Sequence, residues 1–105
     1  MTAGLTVDER SFVLTTIKKQ LFSAQTVQVW LFGSRALGSH KKFSDVDLLL
    51  EASPPFTDKQ RFEIQDAFEE SELPYKVDLV MLEDLAEAFR PQIEATRIVL
   101  GNLQG

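Results

Sequence analysis

The feature that most constrains the fold is a run of three leucines, Leu48 to Leu50, that closely follows the aspartates Asp45 and Asp47. Successive side chains of a strand point to opposite faces of a sheet, so three consecutive leucines need apolar cover on both faces. We therefore predict that Asp45 to Ala52 forms a strand inside the core, with charged groups at its start.

The segments around this strand alternate between helical and extended patterns. Capping-box spacing between Thr6 and Glu9 begins a helix that we predict from Val7 to about Ser23. The other predicted elements are a strand from Val27 to Phe32, a short helix from Ser34 to Leu37, a helix between Thr57 and Pro74, a strand from Lys76 to Met81, and two final helices, Leu82 to Phe89 and Pro91 to Leu100. This alternation predicts one α/β (α+β) domain over residues 1–105, with a small mixed sheet flanked by helices.

Composition excludes several classes of protein. The chain carries 16 acidic and 11 basic residues, a net charge of −5, so we expect no direct nucleic-acid partner. It contains no cysteine, which excludes disulfides, thiolate catalysis and cysteine-bound zinc. No apolar run approaches the roughly 18 residues that span a bilayer. We expect a cytoplasmic protein without a targeting segment or a membrane partner.

Gly33 and Ser34 lie where the first predicted strand turns into the short helix. Glycine permits a sharp turn and the close approach of a ligand, and the amides at a helix start can bind phosphate. The Ser34 hydroxyl can donate a further hydrogen bond, and Arg35 is near enough in sequence to neutralise phosphate oxygens. A simple strand-to-helix turn with a helix cap explains the same residues, so the pattern alone leaves both interpretations open.

Asp45 and Asp47 are two residues apart in a predicted strand, so both carboxylates project from one face. Two such charges repel each other unless a cation or a basic group compensates them. Mg²⁺ prefers carboxylate and phosphate oxygens, and paired aspartates can hold two ions about 3.5 to 4 Å apart. A solvated strand edge is the alternative, but it fits poorly beside the three leucines, so we favour a metal site.

Asp78 lies in the last predicted strand, which could neighbour the strand of Asp45 and Asp47. It either faces solvent or completes a site of three carboxylates, in which it would bind one ion and accept the proton of an attacking hydroxyl. The three aspartates are our predicted catalytic and metal-binding residues.

Other polar residues are weaker candidates. We expect His40, Lys41 and Lys42 to be solvated, and Lys76 to screen the charge of Asp78. A partner surface near the C-terminus is a further hypothesis, and its candidate residues are Phe89, Ile93 and Val99.

The combined spacing of these motifs resembles a known signature. Phe32-Gly33-Ser34, ten residues from Arg35 to Ser44, Asp45-Val46-Asp47-Leu48 and Val77-Asp78-Leu79 resemble the nucleotidyltransferase superfamily related to DNA polymerase beta. The turn from Gly33 to Gly38, the Asp45 motif and the short chain are most similar to its minimal nucleotidyltransferases, the MntA-like antitoxins. The resemblance covers about residues 27 to 81.

This resemblance implies a fold like the polymerase beta palm and transfer of a nucleoside monophosphate, usually AMP from ATP. It implies that Mg²⁺ is bound by Asp45, Asp47 and Asp78, and that a nucleoside triphosphate is the substrate. It also implies a partner, since members of this group are typically encoded beside a HEPN-type toxin and silence it by attaching AMP to one of its tyrosines.

Two other functions compete with this one. The first is a catalytically silent nucleotide-binding antitoxin that neutralises its partner by binding, and the second is a small-molecule (antibiotic) nucleotidyltransferase. At 105 residues the chain leaves little room for a separate acceptor-binding or base-binding domain, which favours a protein acceptor. The sequence does not identify the nucleotide, the acceptor residue or the oligomeric state, so a homo-oligomer is left open.

Overall fold

The computed structural model describes residues 4–39, 41 and 43–105. Its strands are β1 (Thr26–Phe32), β2 (Val46–Ser53), β3 (Val77–Met81) and β4 (Ile98–Gln104). Its helices are α1 (Val7–Lys18), α2 (Ser34–Leu37), α3 (Asp58–Glu69) and α4 (Arg90–Thr96), with single 3-10 turns at Leu82–Asp84 and Glu87–Phe89. None of the helices in these ranges is both long and apolar enough to cross a membrane.

The described strands form a four-stranded sheet in the order β3-β2-β1-β4. β1 pairs antiparallel with β2 and with β4, whereas β2 pairs parallel with β3. The parallel pair is connected through α3, because parallel neighbours need a crossover rather than a hairpin. This architecture confirms the predicted α/β (α+β) class with a mixed sheet and flanking helices.

The central strand β2 is buried on both faces, as the leucine run predicts. Leu48, Leu49 and Leu50 are all fully buried. Leu48 and Leu50 belong to the apolar cluster that α1 and α3 cover. Leu49 lies in a second cluster on the other face, together with Trp30 and Leu82. Packing from two sides therefore fixes the register of the strand that begins just after Asp45.

α1 begins with the predicted capping box. The Glu9 amide donates to Thr6 Oγ1 at 3.1 Å, and the Thr6 amide donates to Glu9 Oε1 at 2.9 Å. The predicted end near Ser23 is wrong, because α1 ends at Lys18. The Gln20 amide donates to the Ile17 carbonyl and the Leu21 amide donates to the Lys18 carbonyl, so the chain leaves the α-helical hydrogen-bond pattern in tighter turns before it reaches Ser23.

The C-terminal prediction is wrong in two places. The segment from Leu82 to Phe89 contains two 3-10 turns in place of one helix, and the helix predicted from Pro91 to Leu100 ends at Thr96. Arg97 has extended backbone with ψ 150, and the chain continues as β4 along β1. Pairing with a strand that is distant in sequence outweighs the weak local helix preference of this segment.

Replacement of Leu49 by alanine should lower the free energy of unfolding by about 2–5 kcal/mol, because it leaves a cavity between β2 and the C-terminal segment. Leu37 of α2 is 61% exposed, so Leu37→Ala is the matched control and should change this free energy by less than about 0.5 kcal/mol. Urea unfolding followed by circular dichroism measures both variants. If Leu49→Ala lowers the free energy of unfolding by less than about 1 kcal/mol, the packing of Leu49 against Trp30 and Leu82 would be contradicted.

Candidate active site

The predicted aspartates and the glycine turn meet at one end of the sheet. Phe32, the last residue of β1, pairs with Asp47 of β2, and Asp47 pairs with Asp78 of β3. Gly33 follows Phe32 directly, and Asp45 lies one residue before β2. Residues that are paired directly across strands share a face of the sheet. The register therefore brings together residues that are up to 45 positions apart in sequence, as the difference between 78 and 33 gives.

The carboxylate of Asp47 lies directly against Gly33. A Cβ atom at Gly33 would meet Asp47 Oδ2 at 2.4 Å, which is closer than van der Waals contact allows. Gly33 also has φ +75, a conformation that side-chain-bearing residues rarely adopt. Two independent constraints therefore require glycine at this position, and one of them is the carboxylate of the site itself.

Ser34 begins α2, a single helical turn that ends at Gly38. The Gly33 carbonyl accepts a hydrogen bond from the Leu37 amide at 3.2 Å, and the Ser34 carbonyl accepts one from the Ser39 amide at 3.0 Å. The first amides of a helical turn have no acceptor within it, and this is the property that a phosphate contact uses. Phosphate binding by Gly33 and Ser34 stays a prediction that this geometry accommodates.

Electrostatic repulsion acts within the group of three aspartates. Asp47 and Asp78 are half-buried, and Asp45 is exposed. Burial raises the pKa of Asp47 above its ordinary value of 3.8, and the negative charges of Asp78 and Asp45 raise it further. A divalent cation between these groups would relieve the repulsion, so the site is electrostatically suited to a metal ion.

Asp78 is paired with a lysine. Lys76 Nζ lies 3.3 Å from Asp78 Oδ1, which confirms the predicted screening of Asp78 by Lys76. The Lys76 side chain is 65% exposed, so solvent weakens this ion pair. Asp78 can therefore exchange Lys76 for another cation at little cost in stability.

The donor chemistry of the three aspartates fits Mg²⁺. Within the described ranges, no group of three acidic, histidine or cysteine side chains is already close enough to hold a metal ion. Mg²⁺ does not need such a preformed cage, because it keeps several waters and is usually bound by one or two carboxylates together with substrate phosphates. Asp45, Asp47 and Asp78 can supply the protein oxygens if a nucleotide supplies the others.

Arg35 is surrounded by protein groups, although the sequence suggested a contact with phosphate oxygens. Its side chain is buried, with Nε and Nη2 donating to the Ser44 carbonyl at 3.0 and 2.9 Å. Nη1 donates to the Gly4 carbonyl at 2.6 Å. The predicted contact of Arg35 with phosphate has no support in this geometry, because burial separates the guanidinium from a ligand in solvent.

Sequence reasoning missed the aromatic partner of this arginine. The guanidinium of Arg35 lies 4.3 Å from the centroid of the Tyr75 ring, and the Tyr75 hydroxyl donates to Glu9 Oε2. Tyr75 is 40 positions away from Arg35, the difference between 75 and 35, so no local pattern connects them. Glu9 was predicted only as a helix cap, and its second oxygen provides the link to Tyr75.

The basic loop before Asp45 is described only in part. His40 and Lys42, both predicted to be solvated, lie outside the described residues. Lys41 is exposed, and its amide donates to Ser44 Oγ at 2.8 Å. Lys41 therefore helps to fix the backbone just before Asp45.

An apolar groove of about 270 Å³ begins at Gly33. Its lining residues are Phe32, Gly33, Leu37, Leu85, Phe89, Gln92, Ile93 and Thr96. Phe89 is 59% exposed, and two of the three residues proposed as a partner surface, Phe89 and Ile93, thus border the site. A larger groove of about 650 Å³ lies at the opposite end of β1 and β2, away from the aspartates.

The chain is similar in sequence to known nucleotidyltransferases. It matches the family described as polymerase beta, nucleotidyltransferase, over residues 15–103. It is 38% identical to the probable protein adenylyltransferase MntA of Haemophilus influenzae over 92 residues, which cover 88% of this chain and 79% of that protein.

Solved structures share its fold. A chain in the crystal structure of a toxin–antitoxin with AMP-PNP has a TM-score of 0.70 and 23% identity, with 88% of this chain and 72% of that chain covered. A chain in the structure of tri-AMPylated Shewanella oneidensis HEPN toxin in complex with MNT antitoxin has a TM-score of 0.62 and 20% identity, with 88% and 68% covered. The match across residues 15–103 confirms the resemblance carried by the glycine turn and the aspartates, and this chain belongs to the polymerase beta nucleotidyltransferase family.

Proposed function

We propose that this protein is a Mg²⁺-dependent adenylyltransferase that transfers AMP from ATP to a tyrosine hydroxyl of a HEPN-type toxin, and that it is the antitoxin of that pair. The contact of Asp47 with Gly33 carries the proposal, because it puts a metal-binding carboxylate beside a turn that can hold phosphate. The relative named as a protein adenylyltransferase and the fold shared with toxin–antitoxin complexes support the donor and the partner. We place the reaction in the cytoplasm, where ATP is available.

Each group of the candidate site has a distinct role in this proposal. Asp45, Asp47 and Asp78 would hold two Mg²⁺ ions, which would supply positive charge to offset that of the phosphates. Gly33 lets the triphosphate approach the backbone, and Ser34 donates hydrogen bonds to phosphate oxygens. Burial raises the pKa of Asp47, and a bound cation would relieve the repulsion from Asp78 and Asp45 that raises it further.

The proposed transfer is a single displacement at the α-phosphorus of ATP. The tyrosine oxygen of the partner forms a bond to this phosphorus while the bond from phosphorus to the bridging oxygen of the β-phosphate breaks, and pyrophosphate leaves. Asp78 accepts the tyrosine proton. This role suits Asp78, because β3 is an edge strand that an outside acceptor can approach and because its ion pair with Lys76 is weak.

The groove beside Gly33 supports a protein acceptor. Leu37 and Phe89 expose large apolar surfaces there, 61% and 59% of each residue, next to the turn proposed to hold phosphate. Exposed apolar side chains in one contiguous groove are typical of protein contact sites. We propose that the partner binds along this groove and so delivers its tyrosine to the aspartates.

Radiolabelled ATP tests the proposal directly. The protein, Mg²⁺, ATP labelled at the α-phosphate and the HEPN-type toxin from the genomic neighbourhood should give label on the toxin. Asp45→Asn/Asp47→Asn should lower the initial rate by at least about 100-fold, because it removes two cation-binding charges. Glu51→Gln, which removes one exposed charge from the same strand, is the matched control and should label the toxin at the wild-type rate.

The labelling assay and a test of cell protection together separate the competing functions. Absence of label on the toxin with wild-type protein would contradict the transfer reaction. Full protection of cells from the toxin by Asp45→Asn/Asp47→Asn would indicate an antitoxin that acts by binding alone. Label on an aminoglycoside in place of the toxin would indicate a small-molecule transferase. Replacement of the labelled tyrosine by phenylalanine in the toxin should abolish the label.

The raised pKa of Asp47 predicts a pH-dependent effect on stability. The native state binds the Asp47 proton more tightly than the unfolded state does, so ionisation of Asp47 destabilises the fold as pH rises from 3.8 through the raised pKa. Without metal at pH 7, Asp47→Asn should therefore melt at a higher temperature than wild type. The difference should shrink as pH falls toward 3.8, and thermal unfolding in EDTA between pH 7 and pH 3.8 measures it.

Glu51→Gln is again the control and should show no such change with pH. Addition of Mg²⁺ with AMP-PNP at pH 7 should reverse the order, because the ligand stabilises only a protein that binds it. Equal melting temperatures of wild type and Asp47→Asn at pH 7 would contradict the electrostatic account of the site.

Two glycines that flank α2 separate backbone strain from collision at the site. Gly33 and Gly38 both have φ +75, but a Cβ at Gly38 meets nothing within 4 Å, whereas one at Gly33 meets Asp47. Gly38→Ala should therefore cost about 1–2 kcal/mol of stability and keep most of the transfer rate. Gly33→Ala should lower the transfer rate by at least about 100-fold, since it displaces the Asp47 carboxylate. Equal rates for the two variants would contradict the assigned contact.

A further inference from the structure

We propose that Arg35 is a positioning residue, which aligns the turn of Gly33 and Ser34 with the carboxylates of Asp45 and Asp47. The inference rests on the proposed function, since alignment matters only if the two groups act on one substrate. It replaces the direct phosphate contact that the sequence predicted for Arg35.

The Arg35 guanidinium clamps the backbone just before Asp45. Nε and Nη2 both donate to the carbonyl of Ser44, at 3.0 and 2.9 Å. Two donors from one planar group on one oxygen fix both the distance and the direction of that carbonyl. Because Ser34 precedes Arg35 and Ser44 precedes Asp45, the clamp ties the phosphate turn to the start of β2.

The guanidinium is itself held from two further directions. Nη1 donates to the Gly4 carbonyl at 2.6 Å, and the Tyr75 ring lies against the guanidinium at 4.3 Å. The side chain is 3% exposed, so these contacts replace water around the charge. Arg35 therefore has one well-defined position, which a positioning group needs.

The Tyr75 contact extends the clamp to the third aspartate. Tyr75 lies three residues before Asp78, and its hydroxyl donates to the Glu9 carboxylate, whose other oxygen accepts the Thr6 amide. Glu9 therefore links Tyr75 to the capping box that begins α1. The backbone just after Tyr75 also joins β2, since the Val46 amide donates to the Lys76 carbonyl at 2.8 Å.

Gly4, which lies shortly before α1, packs closely on Arg35. A Cβ at Gly4 would meet the Arg35 carbonyl oxygen at 2.5 Å and the Arg35 Cβ at 2.6 Å. Gly4 also has φ +78, which favours glycine. Main-chain atoms of Gly4 therefore help to enclose Arg35, and the carbonyl of Gly4 accepts from the guanidinium.

Arg10 provides a matched control within the same chain. Its Nε and Nη2 donate to the Leu100 carbonyl at 2.9 and 2.6 Å, the same two-donor contact made between α1 and β4. This contact involves none of the proposed site residues. A purely structural arginine clamp should therefore respond to substitution as Arg10 does.

Titration calorimetry with Mg²⁺ and AMP-PNP tests the inference without any acceptor. Arg35→Lys keeps the positive charge but loses the two-donor contact, so it should weaken binding by at least about tenfold and raise the Mg²⁺ concentration needed for half-saturation. Arg10→Lys should bind within about twofold of wild type. Each variant is measured well below its own melting temperature, so that loss of folded protein does not contribute.

The outcomes separate this inference from the proposed function. Binding by Arg35→Lys within about twofold of wild type, with binding lost in Asp45→Asn/Asp47→Asn, would overturn the positioning role alone. Equal losses for Arg35→Lys and Arg10→Lys would also overturn it. Failure of the wild-type protein to bind Mg²⁺ and AMP-PNP would overturn the proposed function and this inference with it.

Tyr75→Leu provides a second variant if Arg35→Lys does not fold. It removes the ring that supports the guanidinium and leaves the donors of Arg35 in place. Weakened binding of Mg²⁺ and AMP-PNP, by at least about threefold relative to Arg10→Lys, supports the positioning role. Binding within about twofold of Arg10→Lys would overturn it.

Discussion

The geometry of the candidate site depends on the burial of β2 from both sides. Leu48 and Leu50 are packed under α1 and α3, and Leu49 is packed on the opposite face. A slip by one residue would move Asp47 or Glu51 into a fully buried position and a leucine out of one, so packing fixes the register strictly. Asp47 is therefore placed by the leucines that follow it, and its own contacts need not hold it in position.

That placement gives the ionised form of Asp47 an unfavourable electrostatic energy, which the fold tolerates. Burial and two neighbouring carboxylates raise the pKa of Asp47, and Gly33 has no side chain that could shield it. A chain selected only for stability would favour an amide or an apolar residue at this point. A bound cation would offset the negative charges of the three aspartates, and a phosphate group would in turn offset the positive charge of the cation.

Local signals in the sequence were sufficient for most elements, and they singled out the glycine turn and the aspartates, whose roles stay predictions. The leucine run, the capping box of Thr6 and Glu9, and the glycine turn each follow from short-range geometry, and the structure contains them where they were predicted. β4 was missed because its pairing partner β1 is more than sixty residues earlier, and its local pattern also fits a helix. Leu100 of this strand was consequently assigned to a helix, although it packs in the cluster that contains Leu48 and Leu50.

Arg35 shows why the role of a site residue is harder to predict than its identity. Its position beside Gly33 and Ser34 suggested an interaction with phosphate, but its acceptors are the carbonyls of Gly4 and Ser44, which no local pattern pairs with it. The same side chain can bind a ligand or brace the backbone, depending on burial. Burial is a property of the tertiary structure, so sequence reasoning could locate this arginine but could not decide between the two roles.

The candidate site lies at one end of the sheet, and this position bears on how an acceptor is aligned. Under the proposed function, the aspartates and the turn hold the nucleotide, and the alignment of a tyrosine must come from contacts with the protein that carries it. Positioning of a reactant can supply several kcal/mol of a barrier. The exposed apolar residues Leu37 and Phe89 beside Gly33 offer such contacts. Selection of the acceptor would then be decided by how the partner docks and not by a pocket for the tyrosine itself.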